Sequence, residues 1–213
     1  MISKIIIVYY DNDSRLGSYF SDCAEYAISF LEAIQLESIP FKLDVDEFGR
    51  NKWNSVYFEI KISEIISNSN AMLVIYSHGI KDAFFYQEQA FIQSNISIDN
   101  IENAIIYTNS CSTGSFFGKT FDKSGGTFIG YESDLLVPVN PYYRKIFIEC
   151  DNSGIFFLFH KMMKLSELHQ AVKNKFNHHI DMLYKVDYVI ASYLQEARDN
   201  FVVLGQNLDR TII

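Results

Sequence analysis

Four runs of five or six residues carry almost nothing but aliphatic, β-branched and aromatic side chains: Ile5 to Tyr10, Ala71 to Tyr76, Ala104 to Thr108 and Thr127 to Tyr131. A strand with one wet face alternates apolar and polar residues, whereas an unbroken apolar run of this length fits a strand covered on both faces. Sheets covered on both faces are mainly parallel, and parallel neighbours need crossovers long enough to hold a helix. The chain supplies them. Between Leu16 and Gln35 the apolar residues Phe20, Ala24, Ala27, Leu31 and Ile34 recur at three- and four-residue steps, and Trp53 to Ile66 does the same through Val56, Ile60 and Ile65.

The punctuation agrees with this division. Asp11-Asn12-Asp13-Ser14 offers turn and N-cap chemistry before the first helix, and Ser67 to Asn70 breaks the second. Pro40 closes the first connection, and Phe41 to Val45 reads as a short second strand. Lys81 to Asn100 is polar without clear period and is expected to form loop with a short helix or hairpin. Ser115 to Asp122 reads as a short helix, Gly125-Gly126 as a turn, Pro141 to Ala197 as two or three helices and Phe201 to Leu204 as a last strand. The expected architecture is a single α/β domain over residues 1–213, with a mainly parallel sheet of about six strands between helical layers.

Charge and cysteine usage narrow the function classes. A net charge of −8 and a pI near 5.1 argue against a phosphate backbone as the main partner, since nucleic-acid binders concentrate Lys and Arg. Three cysteines, Cys23, Cys111 and Cys150, without CxxC spacing suggest neither a disulfide framework nor a structural zinc site. The first apolar run meets Asp11 too soon for a secretory segment, and no stretch approaches a membrane span. A cytoplasmic protein with no cofactor, no metal and no membrane or nucleic-acid partner is expected.

Two strand ends carry chemistry. The run from Ala71 ends in Ser77-His78-Gly79, and the run from Ala104 ends in Asn109-Ser110-Cys111-Ser112-Thr113-Gly114. In an open parallel sheet the carboxyl ends of the strands are where sites form, and adjacent strands are only about 4.8 Å apart. An imidazole and a thiol leaving the same edge can act on one carbonyl. The thiol attacks only as thiolate, so His78 is the candidate general acid and base for a Cys111 nucleophile. The helix expected near Ser115 would aim its first amides at the Cys111 turn, and Gly114 would permit that turn to be tight. Gly79 lets a substrate oxygen approach its amide, so the amides of Gly79 and Cys111 are the candidate oxyanion donors.

With LVIYSHG, then IIYTNSCSTG, then FFGKTFDKSGGTFIGYESD, and LQEARDNFVVLGQNLDR near the end, the chain resembles the caspase-like cysteine peptidases, clan CD, and within them the CHAT group related to separase. The resemblance is fullest over residues 71–134. It implies a caspase-like three-layer α/β/α sandwich, hydrolysis of peptide bonds in a protein or peptide substrate, Cys111 as nucleophile, His78 as acid and base, and an oxyanion site at Gly79. Metacaspases carry Asp two places before the cysteine; Asn109 stands there in this chain, so their preference for Lys or Arg does not carry over through that position. Asp11 and Asp13 after the first strand, with Glu132 and Asp134 after the fifth, form an acidic rim expected to favour a basic P1 side chain, against which Arg15 counts. The rival expectation is a catalytically inactive caspase-like binding or scaffold module. A regulated effector protease with a separate regulatory or sensor protein is the expected context.

Two near-motifs fail on geometry. Gly114 to Thr120 has one residue too few between its glycines for a phosphate loop, and Phe117 stands where a Cys-x5-Arg phosphatase needs arginine. His160, His169, His178 and His179 lie on expected helices without metal-ligand spacing.

Overall fold

The computed structural model describes residues 2–36, 44–47, 70–86, 89–94, 101 and 104–212. The expected helix from Trp53 to Ile66 and the start of the strand expected from Phe41 lie outside the described residues. In chain order the elements are β1 (Lys4–Tyr9), α1 (Gly17–Leu36), β2 (Asp44–Glu47), β3 (Ala71–Tyr76), β4 (His78–Ile80), β5 (Ala83–Tyr86), β6 (Gln89–Gln93) and β7 (Ile105–Thr108). A π-helical turn, Gly114–Gly118, runs into α2 (Lys119–Lys123). Then come β8 (Thr127–Tyr131), α3 (Pro141–Asp151), α4 (Ser153–Phe159), α5 (Leu165–Leu183), α6 (Tyr188–Asn200) and β9 (Phe201–Leu204).

The main sheet has the order β2-β1-β3-β7-β8-β9. Its pairs are parallel except the last, where β9 returns antiparallel to β8. The protein is therefore α/β with a mixed, mostly parallel sheet. Between Lys81 and Asn100, where a loop with a short helix or hairpin is expected, the described residues form the hairpin β5-β6, which joins β4 just before it in a second, antiparallel sheet. The short helix expected over Ser115 to Asp122 is present, with its first turn π-helical before α2. Pro141 to Ala197 holds four helices instead of two or three, because the chain breaks at Asn152, with φ −98° and ψ −3°, between α3 and α4.

Alternation along each strand sorts the side chains onto two faces. Ile5, Ile7, Tyr9, Met72, Val74, Tyr76, Tyr107 and Tyr131 point toward α1 and the helices α3 to α6. Ile6, Val8, Leu73, Ile75, Ile106 and Phe128 point the other way, against Phe84 and Ile92 of the small sheet and Phe117 and Phe121 of the segment after β7. Both faces of β3 are buried along its whole length, which is why its sequence shows no polar residue. Each such side chain withdrawn from water contributes about 1.5–3 kcal/mol.

At the carboxyl edge the helical layer is fastened to the sheet by one buried carboxylate. Asp151, at the end of α3 and 4% exposed, accepts from Tyr19 Oη of α1 at 2.7 Å, Tyr131 Oη of β8 at 2.7 Å and Asn109 Nδ2 after β7 at 3.4 Å. Tyr107 Oη donates to its main-chain oxygen at 2.5 Å. Tyr76 Oη of β3 donates to the neighbouring Asn152 Oδ1. Burial pushes the Asp151 carboxyl up from its ordinary 3.8 to about 6, although the three side-chain donors pull it down.

The sign of the resulting pH dependence follows. Between about pH 4 and 6 the native protein keeps a proton that the unfolded chain has released, so this group withdraws stability as the pH rises, by about 3 kcal/mol in all. Asp151→Asn removes the dependence. Urea midpoints measured at about pH 4.5 and pH 7 should therefore show the wild type losing ground relative to Asp151→Asn as the pH rises, and a difference that stays constant would contradict the assignment.

Candidate active site

The register of the sheet brings the two strand-end motifs together. Ile75 of β3 stands opposite Thr108 of β7; carried past the strand ends, the same register sets Ser77 beside Ser110 and His78 beside Cys111. The hydroxyls of Ser77 and Ser110 are 3.4 Å apart, so the register persists into the loops. On the outer sides Tyr9 pairs with Tyr76 and Tyr107 with Ile129, which aligns Asp11 with His78 and Ser133 with Cys111. Ser112 N donates to Ser133 O at 3.0 Å, again keeping the alignment. His78 and Cys111 also have the same parity as Tyr76 and Tyr107, the residues that face the helical layer.

His78 is held from two elements. Its Nε2 lies 3.1 Å from Asp13 Oδ2, and the side chain keeps 39% exposure. Phe20 of α1 meets the imidazole edge-on at 5.4 Å and Tyr10 does so at 6.1 Å. Asp13 is itself fixed, because its Oδ1 accepts the amides of Leu16 at 2.6 Å and Arg15 at 2.8 Å. Burial pushes the Asp13 carboxyl up, but those two amides and the imidazole outweigh it and hold the group below its ordinary value. Asp13 thus sits against the histidine, within the site, and not on an open rim.

Cys111 is partly exposed, whereas Cys23 and Cys150 are buried; all three are free thiols. The Cys111 Sγ accepts the amide of Leu135 at 3.3 Å. Burial pushes the thiol up; the Leu135 amide pulls it down, and the charges of Asp134 and Asp151 push it up again, with a net rise. The resting group is a neutral thiol, and a base is needed to make it a nucleophile. The amides of the π-helical turn do not supply this help: Ser115 N donates to Ser112 O and Phe117 N to Lys81 O. Leu135 provides the donor, from a loop whose sequence carries no sign of it.

The turn presenting the sulfur departs from expectation in a second respect. The residue with positive φ is Ser112, at 58°, and not Gly114. A non-glycine residue in that region costs of order 1–2 kcal/mol. Ser112 is held there by its amide bond to Ser133 and by its hydroxyl, which donates to Asp134 Oδ1 at 2.6 Å. Gly114 is required for space: a Cβ there would lie 2.8 Å from the Tyr131 carbonyl oxygen.

Gly79 abuts the cysteine loop. A Cβ on it would lie 2.6 Å from Thr113 Cγ2, 2.7 Å from Cys111 O and 2.8 Å from Ser110 Cβ. In β4, Ile80 pairs with Ala83 across the two-residue turn at Lys81 and Asp82, and Gly79 faces Phe84. Bonded and non-bonded pairs alternate along an antiparallel ladder, so the closing pair is bonded and the Gly79 amide points away from β5.

The other singled-out residues are engaged within the protein to differing degrees. Glu132 pairs with Lys119 at 2.8 Å, and Asp134 receives the Ser112 hydroxyl. Asn109 is 3% exposed and directs Nδ2 at Asp151 and at Cys23 Sγ, while its Oδ1 is buried without a hydrogen-bond partner. Asp11 Oδ1 is likewise buried without a partner. No protein-family model matches the chain, and a search of curated proteins finds no match either.

Alkylation of the native protein should modify one thiol of the three, Cys111, with Cys23 and Cys150 reacting only on unfolding. In Gly79→Ala the added methyl must displace the Cys111 loop, at a cost of about 1–3 kcal/mol and with a changed rate of Cys111 alkylation. Unchanged rate and stability together would show that Gly79 does not touch that loop.

Proposed function

We propose that the chain is a cysteine endopeptidase of the caspase-like type, acting on protein or peptide substrates through Cys111 and His78. The observation that carries this is the alignment of the two residues: adjacent parallel strands, one register, one face and one open edge. Helices on one face of the sheet, with the small sheet and α2 on the other, fit the three-layer sandwich that the motifs imply.

The chemistry follows from what each group offers. His78 takes the proton of Cys111, and the sulfur attacks the substrate carbonyl carbon as the pair separates into thiolate and imidazolium. The carbonyl oxygen gains the negative charge and is met by the amides of Gly79 and Cys111, one such donor being worth about 3–4 kcal/mol in related chemistry. His78 then gives the proton to the departing amine, the C–N bond breaks and a thioester remains. Water, deprotonated by the same imidazole, releases the acid and restores the thiol.

Substrate preference is written in the acceptors of the edge. Glu132 and Asp134 are already engaged and Asp13 faces the histidine, so of the acidic rim Asp11 remains, with one carboxylate oxygen lacking a donor. An acceptor without a donor favours a side chain that donates, and lysine or arginine at P1 matches it. A resting thiol that is neutral and covered by the Leu135 amide suits an effector enzyme held back until a regulatory partner or the substrate rearranges the loop. Three free thiols suit a reducing compartment such as the cytoplasm.

A fluorogenic peptide library varied at P1 tests the proposal. The wild type should cleave peptides with basic P1, Cys111→Ala should abolish cleavage, and His78→Ala should lower kcat by about 10²–10⁴-fold. Labelling of Cys111 by a thiol-reactive peptide probe at equal rates in wild type and His78→Ala would favour the inactive scaffold instead.

A further inference from the structure

The pairing of His78 with Asp13 assigns the two ring nitrogens different tasks, an inference that rests on the peptidase proposal for its catalytic meaning but on geometry for its substance. Asp13 Oδ2 faces Nε2 at 3.1 Å. The carboxylate's other oxygen is occupied by the amides of Arg15 and Leu16, and the Asp13 main-chain oxygen accepts the amide of Gly17 at 3.1 Å as α1 begins. The acceptor is thus locked to the backbone at the head of a helix, and Phe20, one turn into that helix, holds the plane of the ring.

We propose that Asp13 is the positioning residue of this site: it holds His78 as the Nε2–H tautomer, leaving Nδ1 as the nitrogen that takes the proton from Cys111. An ionised carboxylate can only accept, so the nitrogen facing it must carry hydrogen. Neutral imidazole has one N–H, and the proton-accepting lone pair therefore resides on Nδ1. When the Cys111 S–H bond breaks and the N–H bond forms at Nδ1, the imidazolium is stabilised by the carboxylate already in place. Passing that proton on to the leaving amine returns the ring to the starting tautomer. Asp13, placed by its position in the sequence among residues meant to attract a basic substrate, is committed to the histidine instead.

Besides Cys111, the titratable groups near the ring among the described residues are few. Tyr10 touches it, Tyr86 of β5 lies behind Tyr10 at 4.9 Å, and Asp11 and Arg15 flank Asp13 in the same loop; α1 presents the uncharged Phe20.

The test uses the full chain and the conservative replacement Asp13→Asn, which retains an oxygen for the Leu16 and Arg15 amides and turns an amide donor toward Nε2. Nitrogen NMR of the His78 ring should show Nε2–H in the neutral wild type and Nδ1–H in Asp13→Asn. On the best peptide substrate Asp13→Asn should lose about 10²–10⁴-fold in kcat with little change in KM, and Asp13→Glu should recover part of it. Nδ1–H in the wild type, or an Asp13→Asn enzyme within about threefold of wild-type kcat, would overturn the assignment. If no peptide is cleaved while the wild-type ring is Nε2–H and switches in Asp13→Asn, the peptidase proposal fails and the assignment of Asp13 stands.

Discussion

A carboxylate sealed from water is tolerated only where donors replace the water it has lost, and Asp151 has recruited them from three separate elements: Tyr19 of α1, Tyr131 of β8 and Asn109 after β7. Because the donors come from both the helical layer and the sheet, satisfying this one group fixes how the layers meet at the carboxyl edge. Asn109 stands two residues before Cys111, and Tyr19 is followed by the phenylalanine that rests on His78. The loops that carry both candidate side chains are therefore tied to a common buried anchor. Tyr76 and Asn152 repeat the arrangement one step away, joining the end of the histidine strand to the same helical junction.

Much of the scaffold was legible in the residues themselves. Unbroken apolar runs marked β1, β3, β7, β8 and β9, and the three- and four-residue spacing placed α1 to within a residue at each end. That His78 and Cys111 follow consecutive buried strands was enough to put them on one edge. The antiparallel hairpins were less visible because β5 carries Phe84 and Phe85 in succession, with a register shift between them that breaks the period of two. The split of α3 from α4 at Asn152 was hidden for another reason, since the apolar residues continue through the break from Ile148 to Ile155.

Side-chain partners were beyond local patterns. Tyr19 and Asp151 are 132 positions apart, and nothing near either announces the other. Asp11, Asp13, Glu132 and Asp134 looked alike as loop acids, yet one orients an imidazole, one pins a strained serine, one meets a lysine and one keeps an unpartnered oxygen. Their roles differ because each faces a different neighbouring loop, and that neighbour is chosen by strand order. The positive φ fell on Ser112 and not on an adjacent glycine for the same reason: two bonds from the loop after β8 compensate a strain that the local sequence would not predict.

The shared parity of His78 and Cys111 has a consequence for how this molecule can vary over time. Side chains exchange faces with every added residue, so one extra amino acid between Thr108 and Cys111 would swing the sulfur toward Phe84 and Phe117, across the sheet from its imidazole. Two extra residues would return it to the proper side but carry it farther along the edge. In lineages descended from such a chain the short span from Thr108 to Cys111 is effectively frozen in length, and so is the stretch after β8 up to Leu135, whose Ser133, Asp134 and Leu135 hold the cysteine turn.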